Sequence, residues 1–377
     1  KQIKIIYKSS NRMGKIILYG SDISYFTGKM ENYFRICGIS YEFRNMQFPA
    51  FKKEMEKKVG LMQMPAVVLE DGRWMTDTTK MIQWFEKETD KFKVLPKDPV
   101  QAFFCFLLED WADEWWWRTA MHYRWHYTEG VRFAARHLAS NNLKNIRLPK
   151  FFKMKYVQYR QRSGYTTGDG IRSSNVEAVE SDFIKLLNNL ENIFKSRNFI
   201  FGERPTLADI GFSGPFFRHF ALDPVPLRII KRNYPNVLNW VLNLWNTRLS
   251  ANIGRLVDGV PTDLEPLFQD IGNIYLPYLN ANVEAVSVGK KRFDMNVGGI
   301  DFKGARYSKY RVWCLKELRN HFLSLPIDSR NRAEKLLKKT GCWNVLWKEK
   351  NLPLTEKQEG GLPFQANNKM VGVNEAI

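Results

Sequence analysis

Cysteine is scarce: the 377-residue chain has only Cys37, Cys105, Cys314 and Cys342, all far apart and none in a CxxC pair. That excludes a disulfide framework and a thiolate metal site, and it fits a reducing compartment, cytoplasmic or mitochondrial matrix. Long apolar runs are missing too. Ile16-Ile17-Leu18-Tyr19 and Val67-Val68-Leu69 are strand-sized, far short of the roughly 20 residues of a bilayer span, so the chain reads as soluble or peripheral with no transmembrane segment. Acidic residues are outnumbered, 39 against 58 basic, for a formal net charge of +19. Such an excess favours anionic partners: small anions, acidic proteins, a lipid surface or RNA. No HExxH pattern occurs, and His122 and His126, an i, i+4 pair, have no carboxylate or thiol between them, so no metal site is expected. The chain opens at Lys1 without a methionine and shows no signal peptide. A removed mitochondrial leader and a trimmed N-terminus account for this equally well.

Aromatic residues, by contrast, are plentiful. Twelve Trp and 26 Phe imply large buried aromatic clusters, and the length suggests about two to three domains. Residues 1–14 form an N-terminal extension, and residues 15–90 alternate strands and helices. Lys15 to Gly20 reads as a strand, Ser24 to Ile36 as a helix closed by Gly38, Tyr41 to Arg44 as a strand, and Phe51 to Lys58 as a short basic helix. The stretch Gln63-Met64-Pro65-Ala66-Val67-Val68-Leu69 is a short apolar run entered through X-Pro and left through Asp71-Gly72, the pattern of a buried strand and turn. A proline there marks an edge, a strand start or a cis bend. Asp77 and Thr78 precede the helically spaced Lys80-Met81-Ile82-Gln83-Trp84-Phe85. A Pro bend beside a helix start bearing an acid and a hydroxyl makes a cradle for a small peptide-like ligand.

Residues 91–99 form a polar linker, and residues 100–258 read as helical. Val100 to His126 carries a long aromatic pattern. Asn175 to Lys195 is amphipathic, Thr206 with Asp209 approximates a capping box, and Tyr234-Pro235-Asn236-Val237 begins another helix. Residues 141–175 form a loop-like basic insertion: Lys144, Arg147, Lys150, Lys153, Lys155, Arg160, Arg162 and Arg172 stand against Asp169 alone. Phe151, Phe152, Tyr156 and Tyr159 are interleaved with these cations. No RNA-binding signature accompanies them, which weighs against nucleic acid and leaves an acidic partner as the alternative. Residues 259–350 form a helical extension, with helices expected over Tyr310 to Leu323 and Asn331 to Thr340, and residues 351–377 a polar tail.

In this arrangement the chain resembles the glutathione S-transferase superfamily. The resemblance rests on Leu18-Tyr19-Gly20-Ser21-Asp22-Ile23-Ser24-Tyr25, Gly38-Ile39-Ser40-Tyr41-Glu42, Met64-Pro65-Ala66 and Asp77-Thr78 in the first half. In the second half it rests on Phe199 to Asp209 and Tyr234-Pro235-Asn236, and together these cover about residues 15 to 250. It implies an α/β thioredoxin-like domain followed by an all-α glutathione-transferase C-terminal domain, here with a helical extension. It also implies glutathione as co-substrate, a small electrophile as substrate, and a homodimer or larger assembly. Ser24 would stabilise the glutathione thiolate, with Ser21 and Tyr25 as alternatives. Met64 and Pro65 would hold the cysteinyl part, Asp77 and Thr78 the γ-glutamyl group, and Gln63 the ligand backbone. Members commonly carry Glu or Gln followed by Ser where this chain has Asp77 and Thr78, a shorter acid. Trp111, Trp115 and Tyr123 would line the electrophile pocket, while Asp110, Asp113 and Glu114 would be solvated or paired with the basic insertion. Because this fold also serves non-enzymatic roles, an accessory subunit of a larger assembly is the alternative function. An open pocket at Ser24, Asp77 and Thr78 favours the enzyme, whereas a side chain of the extension plugging it favours the scaffold.

Overall fold

Apolar alternation and glycine punctuation build the first half. The computed structural model describes residues 15–88, 93–250, 254–354 and 363–364. Strands β1 (Ile16–Gly20), β2 (Tyr41–Asn45), β3 (Ala66–Val68) and β4 (Trp74–Thr76) are interleaved with helices α1 (Tyr25–Ile36), α2 (Ala50–Val59) and α3 (Thr78–Glu88). The sheet order is β2-β1-β3-β4. β2 runs parallel to β1 with Leu18 opposite Phe43; β3 and then β4 run antiparallel, with Leu18 opposite Val67 and Val67 opposite Met75. The parallel pair needs a crossover, which α1 supplies. This is the thioredoxin-like half expected from the sequence. On the outer side of β4 the Thr76 amide donates to the Pro363 carbonyl at 2.9 Å, so the C-terminal tail covers the sheet edge there.

Helices α4 (Pro99–Glu114), α5 (Trp116–His126), α6 (Thr128–Asn141), α7 (Lys150–Gln161), α8 (Val176–Phe194), α9 (Leu207–Pro215), α10 (Pro224–Asn233) and α11 (Pro235–Asn246) form the second half. Asp98 caps α4 by accepting from the Val100 and Gln101 amides, with Pro99 at the first helical position. Asp209 is fully buried and accepts from the Ile200 and Thr206 amides and from Trp240 Nε1, so one carboxylate ties the start of α9 to α11. The insertion is not the loop expected: α7 takes up its middle, because Met154, Val157, Gln158 and Gln161 recur at helical spacing and pack inward.

The extension holds α12 (Glu265–Asp270), α13 (Leu276–Ser287), α14 (Lys309–Leu323), α15 (Ile327–Lys339) and α16 (Cys342–Leu346). It adds a hairpin, β5 (Arg292–Val297) and β6 (Ile300–Arg306), to the helices expected there. The hairpin turns at Gly298-Gly299, both at positive φ. One continuous apolar cluster runs from Ile16 and Tyr33 through Phe104 and Leu187 to Leu315 and Leu346, so the extension shares the core of the two halves.

Helix α4 is the spine. Glu109, Asp113 and Glu114 are buried and Asp110 is half-buried, rather than solvated or paired with the insertion, because they face three different neighbouring elements. Glu109 and Asp113 receive the ammonium of Lys29 on α1, Asp110 accepts from the Tyr275 hydroxyl at 2.6 Å, and Glu114 accepts from Arg311 at 2.8 Å. Burial pulls the pKa of Lys29 down, but Asp113 and then Glu109 more than offset it and hold the ammonium above its usual value. Burial also lifts Asp113 well above the usual carboxylate range, against the opposing Lys29 ammonium. Among the described residues, no helix is long and apolar enough to cross a membrane.

Candidate functional site

A cleft of about 590 Å³ opens between the two halves. The first half contributes Ser21, Ser24, Gln63, Met64, Asp77 and Thr78, which the fold brings together from the β1–α1 loop, the approach to β3 and the start of α3. No residue of the extension lines it.

Ser24 occupies the N-cap position of α1 at φ −86°, ψ 135°, yet its hydroxyl makes no capping hydrogen bond. The hydroxyl thus sits at the positive end of a helix without helix duty. Ser21 is buried and its hydroxyl bonds Asn142 Oδ1 at 3.2 Å. Tyr25 lines the cleft with its ring, but its hydroxyl donates to the Ala112 carbonyl at 2.5 Å. Burial, then Asp113 and Glu114, push its pKa well up, so it keeps its proton, and that proton is already given to Ala112.

The Met64–Pro65 peptide is cis, and the backbone of Met64 makes no hydrogen bond to another described residue. The Pro65 carbonyl and Gln63 Oε1 both accept from the Thr76 hydroxyl, at 3.1 and 3.3 Å. Asp77 has φ +74°, a left-handed conformation that side chains other than Asn and Asp rarely adopt and that concentrates at functional positions. Its Oδ1 accepts from the Tyr310 hydroxyl at 3.1 Å and from the Lys80 amide at 3.4 Å, while Lys80 Nζ lies 4.0 Å from Oδ2. Burial raises its pKa, and Lys80, its amide, Tyr310 and Lys29 oppose the rise. Thr78 is fully buried at the start of α3, and its Oγ1 has no hydrogen-bond partner among the described residues.

The three aromatics expected at the substrate pocket lie elsewhere. Trp111 packs edge-on against Trp116 and Phe212. Trp115 bonds Asp182 at 3.1 Å beside Tyr278 and Phe302, and Tyr123 packs on Tyr127 and Phe183. Trp117, Met121 and Trp125 of α5 line the cleft instead. Their i, i+4, i+8 spacing was the available signal. His122 bonds Glu180 at 2.7 Å and lies against His126, ring centroids 4.7 Å apart. Among the described residues, no group of three or more His, Cys, Asp or Glu is placed to hold a metal ion.

Sequence reasoning also missed the far wall. Tyr156, Val157, Arg160 and Gln161 of α7 line the cleft, so the basic insertion is part of the site; exposed Lys52 and Arg160 add positive charge to its lining. Arg124 lies beneath, held by Asp223 at 2.9 Å and by the Ile23 carbonyl at 2.6 Å. His219, beside Asp223, is lowered to about 4 by burial and by Arg124, and is neutral at physiological pH. The arrangement offers a hydroxyl at a helix N-terminus, a buried acid and hydroxyl, and free peptide groups next to a strand. Apolar Phe26, Trp117, Met121 and Val157 line the same cleft.

Two family models match the chain: glutathione S-transferase, N-terminal domain, over residues 18–91, and glutathione S-transferase, C-terminal domain, over residues 163–247. No curated protein sequence matches it. Similar solved structures include a beta-etherase from Sphingobium sp. strain SYK-6, 17% identical with a TM-score of 0.41, covering 61% of this chain and 95% of that one. A tau class glutathione S-transferase from mango, Mangifera indica, is 14% identical with a TM-score of 0.39, covering 62% and 89%. A glutathione transferase from Phanerochaete chrysosporium is 11% identical with a TM-score of 0.44, covering 62% and 97%.

Proposed function

The chain belongs to the glutathione S-transferase superfamily, and from that premise we propose that it binds glutathione in the cleft and conjugates or reduces an electrophile through a thiolate stabilised by Ser24. The observation that carries the reading is the buried Thr78 hydroxyl, without a partner among the described residues, next to the positive-φ Asp77 in one cleft with Ser24. Asp77 would take the ligand's ammonium, Thr78 its carboxylate, and the Met64 backbone the cysteinyl peptide. Burial would strengthen each contact.

The energetics suffice. A thiol with a pKa near 8.5 needs about 2.7 kcal/mol of differential stabilisation to drop by two pH units. A charge-assisted hydrogen bond supplies about 1.5–3 kcal/mol, and the end of α1 adds about 0.3–1 kcal/mol. A side chain of the extension plugging the pocket would favour the accessory-subunit reading; no residue of 259–350 lines the cleft, which supports the enzyme reading.

Calorimetric titration with glutathione tests the proposal, using Asp77→Asn because Asn tolerates the positive φ. Wild type should bind in the micromolar to low millimolar range, with Asp77→Asn about tenfold or more weaker, the equivalent of a lost charge-assisted bond. Ser24→Ala should still bind but leave the thiol pKa at its solution value. Heat of dilution alone from folded wild type would refute the reading.

A further inference from the structure

We propose that the outer face of α7 docks the protein onto an anionic phospholipid surface. This rests on the exposed surface alone and not on the reading of the cleft. α7 has two distinct faces. The inner one is packed: Val157 is buried, and the stem of Lys153 is buried while its Nζ donates to the Leu143 carbonyl at 2.8 Å. The outer one is aromatic and in solvent: Phe151, Phe152, Tyr156 and Tyr159 are 62%, 58%, 58% and 74% exposed, with Leu148 just ahead at 56%. Five of the ten large apolar residues exposed among the described residues fall in this short stretch, so they form a patch and not the usual scatter.

The charge around the patch identifies what covers it. From Lys144 to Arg162 there are seven basic residues and no acidic one. Lys144, Arg147, Lys150, Lys155 and Arg160 are exposed, and Arg132 and Arg136 of α6 share a surface hollow with Lys150. A second copy of this chain would bring these cations against their own kind. Single-stranded nucleic acid is held in basic grooves, and this is a convex helix face. Aromatic rings interleaved with lysines, at Lys155 only 5.6 Å from the Phe151 ring, match a phospholipid interface, where rings sit at headgroup depth and ammonium groups meet phosphates. Tyr156 and Arg160 belong to both this face and the cleft lining, so docking would bring the mouth of the cleft to the lipid surface.

Co-sedimentation of the full chain with phosphatidylcholine vesicles, with and without phosphatidylserine, tests this. Wild type should pellet with the phosphatidylserine vesicles and stay soluble with phosphatidylcholine alone, the binding weakening as salt is raised. Phe151→Ser/Phe152→Ser and Lys150→Glu/Lys155→Glu alter only exposed side chains, and circular dichroism would verify their folds. Each should lower partitioning at least tenfold; the lysine pair should do so by more than about 25-fold, from about fivefold per cation removed. Wild type left in the supernatant, or pelleting that neither variant changes, would overturn the proposal. So would capture of a single-stranded oligonucleotide without vesicle binding, or a wild-type dimer that Phe151→Ser/Phe152→Ser dissolves.

Discussion

Replacing Lys29 with Met should destabilise the junction between the two halves by about 3–5 kcal/mol, the usual cost of removing one member of a buried ion pair. Lys29 is completely buried on α1. Its ammonium donates to Glu109 and Asp113, one turn apart on α4, and lies 3.4 Å from the Thr79 hydroxyl, which itself donates to Glu109 at 2.7 Å. Met keeps most of the side-chain volume, so the cost comes from the carboxylate left in a low-dielectric site. At about 2–4 °C per kcal/mol for a chain of this size, the apparent melting midpoint should fall by roughly 10 °C. Tryptophan fluorescence at a fixed scan rate reads it directly, because Trp111, Trp115 and Trp116 are buried where α4 meets α5. The triple variant Lys29→Met/Glu109→Gln/Asp113→Asn removes the ammonium together with both acids and should recover most of the loss. A single variant that melts within a degree or two of wild type would refute the argument, as would a triple variant that melts as low as the single one.

Three further outcomes are expected. Burial lifts Asp110 to about 8, against the opposing Tyr275 hydrogen bond. The stability held by its protonated form is therefore complete below about pH 4 and lost as pH rises through about 8, at about 1.4 kcal/mol per pH unit. Asp110→Asn should flatten that slope, with denaturant midpoints that converge with wild type near pH 4 and exceed it near pH 8. Tyr310→Phe removes the hydroxyl 3.1 Å from Asp77 without changing shape, and should weaken glutathione binding about three- to tenfold while leaving the KM for the electrophile unchanged. Gly211→Ala would put a Cβ 2.6 Å from Glu109 Cα where α9 crosses α4; neither backbone can yield cheaply, and chemical denaturation should show a loss of about 1–3 kcal/mol.

The signals legible in the sequence were those that act over a few residues. Ser24 ahead of an apolar helix, Gly38 after it, Met64-Pro65 before β3 and Thr206 with Asp209 each constrain the backbone locally, and the elements stand where those residues put them. The Gly298-Gly299 turn between alternating apolar residues is an equally local signal for the β5–β6 hairpin. In the insertion, charge density masks the helical spacing of Met154, Val157 and Gln161, which is what sets α7 apart from the loop expected there.

What no local pattern could disclose was the choice of partner. Apolar spacing shows that a tryptophan is buried but not against what, and the cleft is lined by Trp117, Met121 and Trp125 in place of the expected Trp111, Trp115 and Tyr123. The hydrogen bond from Tyr310 to Asp77 spans 233 residues, and that from Trp240 to Asp209 spans 31. The sequence by itself determined the thioredoxin-like half, the helical half and the local backbone at Ser24, Met64, Asp77 and Thr78, residues that line one cleft, because dihedral preference and periodicity are properties of neighbours along the chain. Tertiary structure alone decided that an extension helix would brace Asp77 and that α7 would wall the cleft, because burial and charge pairing are set by whichever distant surfaces fit together in the folded chain.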